Sequence, residues 1–249
     1  MSWRHPGRIG ALLYASAALL LSGVVAIFTR LRLAKRRGRR RAAEELPEGA
    51  IIVISNHASY ADGALLALVC RRMGRSVRLL ATAGVFRAPL LGGLITRLGF
   101  IPVERGSDRA ADSLAAAVQA LTAGEAVGIF PEGRTTRDPD RWPERAKTGA
   151  VRLSLLTGAP IVPVAMVGTH RVLTRDHPIR SIVANVVLRP KVIVDVGDPI
   201  DVRALAPPEP VSPEHVRDLA VRGQAKNLTV VAGLRDARGP HPPRGEATP

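Results

Sequence analysis

Cysteine is all but absent from this chain. Cys70 is the only one among 249 residues, so an internal disulfide is excluded, and its place in an apolar, helix-like stretch makes it a small buried residue rather than a nucleophile. Aromatics are scarce, at 3% of the sequence, which removes the stacking side chains that a nucleic-acid platform needs. Gly-x-Ser-x-Gly, a phosphate-binding glycine-rich loop and His-Glu-x-x-His are all missing, and with them the signatures of serine hydrolases, nucleotide hydrolases and zinc proteases. Residues 1–41 lack Asp and Glu altogether while holding ten Lys or Arg, so +10 of the formal net charge of +15 sits in that arm.

Within the arm, the twenty residues Ile9 to Phe28 carry no charge, and only Tyr14, Ser16 and Ser22 offer hydroxyls. A helix of that length spans about 30 Å, the hydrocarbon thickness of a bilayer, so the segment predicts an N-terminal membrane helix. Arg4 and Arg8 before it also fit a signal peptide. The heavier charge lies after it, at Arg30, Arg32, Lys35, Arg36, Arg37 and Arg39 to Arg41, and the positive-inside rule places that side in the cytoplasm. Such arginines suit an anionic membrane, each contributing about 1 kcal/mol near the surface. Nucleic acid is the rival partner for a basic run, and the shortage of aromatics counts against it.

The rest reads as one domain, residues 42–201, with a tail from 202 to 249 that is largely disordered after about 235. Strand-like runs at 51–55, 77–81, 99–103, 126–130, 161–166, 182–188 and 191–196 alternate, until the last two, with helix-like stretches, and so argue for an α/β sandwich. Asp108 to Thr122 is the clearest helix, with Leu114, Val118 and Leu121 on one stripe and Gly124 as its stop signal. Ile182 to Val196 predicts a hairpin closing the sheet. Pro163 inside its run predicts a sheet edge or a bulge. A short helix is expected between Pro213 and Arg222.

Chemistry concentrates where Ile51 to Ile54 runs into Ser55-Asn56-His57-Ala58-Ser59-Tyr60-Ala61-Asp62. His57 falls at a strand-to-helix turn and Asp62 near the start of the helix that follows. Five residues separate faces of a continuous helix, so base and carboxylate meet only if the chain turns between them. Ser59-x-x-Asp62 also fits a capping box, in which the carboxylate merely closes a helix N-terminus. Downstream lie Glu104-Arg105-Gly106, then Phe130-Pro131-Glu132-Gly133-Arg134-Thr135-Thr136-Arg137, then Ile161 to Ala165.

In this order the four blocks resemble the lysophospholipid acyltransferase family over roughly residues 50 to 170. The resemblance implies a glycerol-phosphate-acyltransferase-like α/β sandwich, with a mixed central sheet flanked by helices and a membrane helix that spans or enters one leaflet. It implies that His57 and Asp62 are the catalytic dyad, and that Arg105, Glu132, Gly133 and an arginine of the third block serve the substrate phosphate or glycerol. The family's Thr-Arg appears here as Arg134-Thr135, with Thr136-Arg137 following, so both Arg134 and Arg137 are candidates. Pro163 and Val164 would form part of the substrate wall. Lys147 and Arg152 are weaker candidates for the acyl donor's phosphates.

Acyl transfer from a thioester needs a base for the attacking hydroxyl but no strong acid, because a thiol with a pKa near ~8.5 leaves readily. The expected reaction joins an acyl group from acyl-CoA or acyl carrier protein to lysophosphatidate, with no metal or cofactor, at the cytoplasmic face of the inner membrane. Another lysolipid acceptor, such as a lyso-ornithine lipid or a glycolipid, is the alternative within the enzyme class. A non-catalytic basic protein that binds membrane or nucleic acid is the alternative outside it.

Overall fold

Ile51–Ser55 is buried at every residue, as a strand must be when helices cover both faces of its sheet. In the computed structural model, which describes residues 7–34, 46–89, 91–104, 110–174, 177–206 and 212–236, this run is a central strand. The chain begins α1 (Gly7–Phe28), β1 (Arg30–Leu33), β2 (Ile51–Ser55), α2 (Asp62–Arg72), β3 (Val77–Thr82), α3 (Ala83–Phe86), α4 (Leu91–Arg97) and β4 (Ile101–Val103). It continues α5 (Ala110–Thr122), β5 (Ala126–Ile129), α6 (Gly149–Thr157), β6 (Ile161–Val167), α7 (Pro178–Leu188), β7 (Lys191–Val196), α8 (Val202–Leu205) and α9 (Pro213–Asp236). Across the sheet the order is β1-β7-β6-β2-β5-β3-β4. Every pairing is parallel except β6 with β7, which makes the sheet mixed, as expected.

Alternation along the strands divides the interior in two. Val53, Val162, Val164 and Met166 pack with Leu65, Leu66 and Val69 of α2 on one side. Ile52, Ile54 and Ile161 pack with Ala117 and Leu121 of α5, Leu153 of α6 and Leu219 of α9 on the other. Each such Val, Leu, Ile or Met side chain contributes about 1.5–3 kcal/mol on burial, so helices hold both faces.

Several expectations are corrected. Ile182 to Val196 is not a hairpin: residues 178–188 are the helix α7, and only β7 joins the sheet. Pro178 presets the first helical turn, and Ser181 and Asn185, four apart, both face inward, a helical period that the β-branched composition concealed. Pro163 lies neither at an edge nor in an edge strand, because β6 sits between β7 and β2. Its carbonyl accepts from Gly197 N–H at 2.7 Å, just past the end of β7, so its missing donor faces the spot where that ladder ends. A Cβ on Gly197 would lie 2.7 Å from Pro163 Cγ, which is why glycine opposes the ring.

The folded unit also extends past both expected boundaries. Arg30 and Arg32, read as part of a basic flank, lie in β1 and pair with Lys191 and Ile193 of β7. The helix expected at 213–222 continues to Asp236 and packs on β6. The rest of the C-terminal tail and the basic residues 35–41 lie outside the described residues. Finally, α1 occupies the place of the expected membrane helix, but it packs on α2 and α7, with Val25 buried and Leu21 joining that core. Among the described residues no helix is long and apolar enough to cross a membrane.

Candidate active site

β2 and β5 are parallel neighbours, and β6 flanks β2 on its other side, so the loops leaving their C-terminal ends converge. Open α/β sheets hold their ligands at such a place. His57 follows β2 on its loop, and Asp62 opens α2. His57 Nδ1 lies 2.9 Å from Asp62 Oδ2, with the histidine side chain 19% exposed and the aspartate fully buried. Nδ1 being engaged, Nε2 is the nitrogen left to act as a base. Phe130, just past β5, stacks on the imidazole with ring centroids 4.3 Å apart.

Asp62 makes both kinds of contact that the sequence offered, one to the imidazole and one to backbone N–H groups of the preceding turn. Its Oδ2 also accepts N–H bonds from Ala58 at 2.6 Å and Ser59 at 2.7 Å, and the latter is half of a capping box. The other half is absent, since Ser59 Oγ donates to Leu173 C=O and accepts from Ala61 N–H instead. The carboxylate that orients the imidazole therefore also folds the loop that carries it. This arrangement uses up donors. The N–H groups of His57, Ala58, Ser59, Ala61 and Asp62 all have acceptors within the protein.

Glu132 turns out to be a strut. Gly133, at φ 71°, closes a turn whose N–H returns to Phe130 C=O, and the turn sends the Glu132 carboxylate beneath the histidine. One oxygen accepts from His57 N–H and the other from Glu144 N–H, each at 2.9 Å. Burial pushes this carboxyl up to about 7, against the two N–H donors and His57, which pull it down. Thr136 N–H donates to His57 C=O at 2.7 Å, so the loop after β5 holds both backbone groups of the histidine. Asn56 binds Met166 of β6 through Nδ2 to its C=O at 2.9 Å and Oδ1 from its N–H at 2.8 Å.

The arginines divide. The Arg134 guanidinium is bound to Glu144 Oε2 through Nε at 3.1 Å and Nη2 at 2.5 Å. Arg137 gives only its backbone N–H to Glu144 Oε1, and its side chain is exposed. Glu144 is held below the usual carboxylate range by Arg137 N–H first and the Arg134 side chain second. Arg105 lies outside the described residues. Lys147 and Arg152 are exposed, the former with its side chain laid over Gly133. Pro163 and Val164 are buried within β6. Cys70 is buried, and burial pushes its thiol up to about 12.

A cavity of about 220 Å³ opens beside the dyad rather than over it, lined by Ala58, Ser59, Tyr60, Thr135, Thr136, Arg141, His170, Arg171, Leu173 and Thr174. Pro163 and Val164 do not reach it. Sequence reasoning missed Arg141 and Arg171, for which no motif spoke, and Glu144, whose contacts are all made through a loop. Asn56 had a signal, its place next to the histidine at the end of a buried strand. Among the described residues no cluster of three or more His, Cys, Asp or Glu is arranged to hold a metal ion.

Comparison with known proteins adds the family. A family model described as Acyltransferase matches residues 37–167. A chloroplastic 1-acyl-sn-glycerol-3-phosphate acyltransferase of Brassica napus is 31% identical over 124 residues, 49% of this chain and 34% of that protein. One from Limnanthes douglasii is 35% identical over 126 residues, 48% of this chain and 41% of that protein. The match thus spans about a third of the length of the first chloroplastic relatives. The crystal structure of the 1-acyl-sn-glycerophosphate acyltransferase PlsC from Thermotoga maritima superposes with a TM-score of 0.59 at 19% identity, over 92% of this chain and 84% of that one. That likeness shows the shared fold.

Proposed function

The chain belongs to the acyltransferase family, and from that premise we propose that it transfers an acyl group from an acyl thioester to the free hydroxyl of lysophosphatidate, giving phosphatidate. The carrying observation is the 2.9 Å contact between His57 Nδ1 and buried Asp62, which leaves Nε2 as the base. The lysophosphatidate hydroxyl gives its proton to Nε2 as its oxygen attacks the thioester carbonyl. Asp62 stabilises the imidazolium that forms. The tetrahedral intermediate then collapses, the C–S bond breaks, and the departing sulfur takes the proton back from the imidazolium. Acyl-CoA or acyl carrier protein supplies the thioester.

Arginines recognise the phosphate, because a guanidinium fork pairs with two oxygens and stays charged. Arg105, Arg137 and the cavity-lining Arg141 and Arg171 are the candidates, with Arg134 acting through Glu144. The names of the chloroplastic relatives favour lysophosphatidate as acceptor. The site works at the cytoplasmic face of the inner membrane, and α1 attaches the domain there by lying in one leaflet. The uncharged run Ile9 to Phe28 and the outward Leu12, Leu19, Leu20, Val24 and Ile27 support that placement.

The test is mass spectrometry of products from purified enzyme given a panel of lysolipids with an acyl thioester, alongside His57→Ala. Phosphatidate from the wild type, and a loss of roughly 10²–10⁴-fold in the variant, are expected. Acylation of a lyso-ornithine lipid or glycolipid alone would move the acceptor. His57→Ala turnover above about a tenth of normal would overturn the mechanism.

A further inference from the structure

Helix α7 is built inside out. Its apolar residues Ile179, Ile182, Val183, Val186, Val187 and Leu188 face solvent, Val187 at 81% exposure, while its polar Ser181 and Asn185 are turned inward, Asn185 at 3%. α2 shows the ordinary pattern, burying Leu65, Leu66, Leu68 and Val69 while Arg71 and Arg72 stay outside. The inward polar groups of α7 hold the preceding segment. Asn185 Nδ2 donates to the carbonyls of Arg171 and Val172, both at 2.8 Å, and Ser181 Oγ donates to Pro178 C=O while accepting from Thr174 N–H. An apolar face of this extent, left in water, marks a surface meant to be covered.

We propose that α7 is an interfacial helix that docks this face into the surface of an anionic bilayer. Charge selects the occupant. From His177 to Val194 there is no Asp or Glu. Arg180, Arg189 and Lys191 are exposed along the segment, with Arg30 and Arg32 on the β1 strand paired to β7. Apolar residues bordered by cations match the boundary between acyl chains and anionic headgroups. A second copy of the chain would instead bring cation against cation across a two-fold axis. α1 adjoins the same face, packing on α7 and accepting from Arg189 Nη2 at Ala26 C=O, 2.5 Å.

The docking has a consequence for access. Arg171 to Thr174, the segment held by Ser181 and Asn185, supplies Arg171, Leu173 and Thr174 to the cavity beside the dyad. Seating α7 in the headgroup layer therefore sets that wall at the lipid surface, so that acceptor enters sideways from the leaflet. The inference rests on the lipid-acceptor reading for this orientation alone. Vesicles free of lysolipid and thioester keep docking and turnover as separate results.

The experiment uses the full chain. Cys70 is buried, so Val187→Cys provides one accessible thiol for a polarity-sensitive fluorophore, and Thr122→Cys on α5, which packs on β4 and β5, is the control. Vesicles of phosphatidylglycerol and phosphatidylcholine should blue-shift the probe at 187 and leave the probe at 122 unchanged. A Val183→Asp/Val187→Asp double variant with a native melting curve should lose vesicle partitioning by about tenfold for each buried valine contact removed. An unshifted probe at 187 on protein that sediments with vesicles, or unchanged partitioning of the double variant, overturns the proposal. So does a blue shift that grows with protein concentration in the absence of vesicles, which would assign the face to a second copy.

Discussion

Replacing Glu132 by glutamine tests the support beneath the histidine. Both oxygens of the wild-type carboxylate accept backbone N–H bonds. Glutamine keeps one acceptor and turns its NH₂ toward the other N–H, leaving buried donors facing each other at a cost of about 1–3 kcal/mol. An opposing effect comes from the charge. Burial raises the carboxyl from its ordinary 4.5 to about 7, equivalent to roughly 3 kcal/mol against the ionised form in the folded protein. Because the folded state holds this proton more tightly than the unfolded chain, the protonation contribution to stability is complete below about 4.5 and is lost as pH rises to about 7. Urea midpoints measured from pH 4.5 to 8 should show this decline in the wild type and not in Glu132→Gln, so that the variant's deficit is greatest at acid pH and narrows toward neutrality. Turnover should fall about ten- to a hundredfold through misplacement of His57, with both Michaelis constants little changed. A variant with wild-type kcat and the wild-type pH slope would show that Glu132 does not position the histidine.

Asp62→Asn retains an oxygen able to accept all three bonds now made to Oδ2 but puts an NH₂ where the buried Oδ1 has no partner, so stability should fall by about 1–3 kcal/mol with the fold intact. Turnover should drop at least about tenfold, because the imidazolium loses its charged partner; a rate above half of normal would leave Asp62 with capping alone. Arg137→Ala should raise the lysolipid Michaelis constant about tenfold while sparing that of the thioester. Arg134→Ala should disturb both about equally, since its guanidinium already holds Glu144, and the reverse pattern would exchange their roles. Gly197→Ala drives a methyl to 2.7 Å from Pro163 Cγ, and calorimetry should find a loss of about 1–3 kcal/mol. A neutral result would mean that the end of β7 yields freely.

What the sequence disclosed was local chemistry at strand ends. Buried runs such as Ile51 to Ile54 carry their own identity, since continuous apolarity over five residues fits a covered strand, and the turn between His57 and Asp62 follows from helix geometry. α7 escaped because Ile, Val and Val in succession look like a strand, while the decisive Ser181 and Asn185 face a loop that no periodicity reveals. Pro163 misled for a similar reason: whether a missing N–H matters depends on where a neighbouring strand stops. Arginine roles were illegible in principle. Thr-Arg order says nothing of Glu144, ten residues beyond Arg134, which settles which guanidinium is occupied.

Asn56 binds β6 with its side chain as another backbone unit would, donating to and accepting from Met166. In hydrogen-exchange terms, the Met166 amide proton is held by the side chain of the residue that precedes His57, so its exchange requires that this buried side-chain bond break. His57 is therefore tied on one side to β6 through its neighbour Asn56 and on the other to the loop after β5 through its own backbone groups. Hydrogen exchange should accordingly be slower at Met166 than in the loop around Glu144 and in the segment that α7 holds.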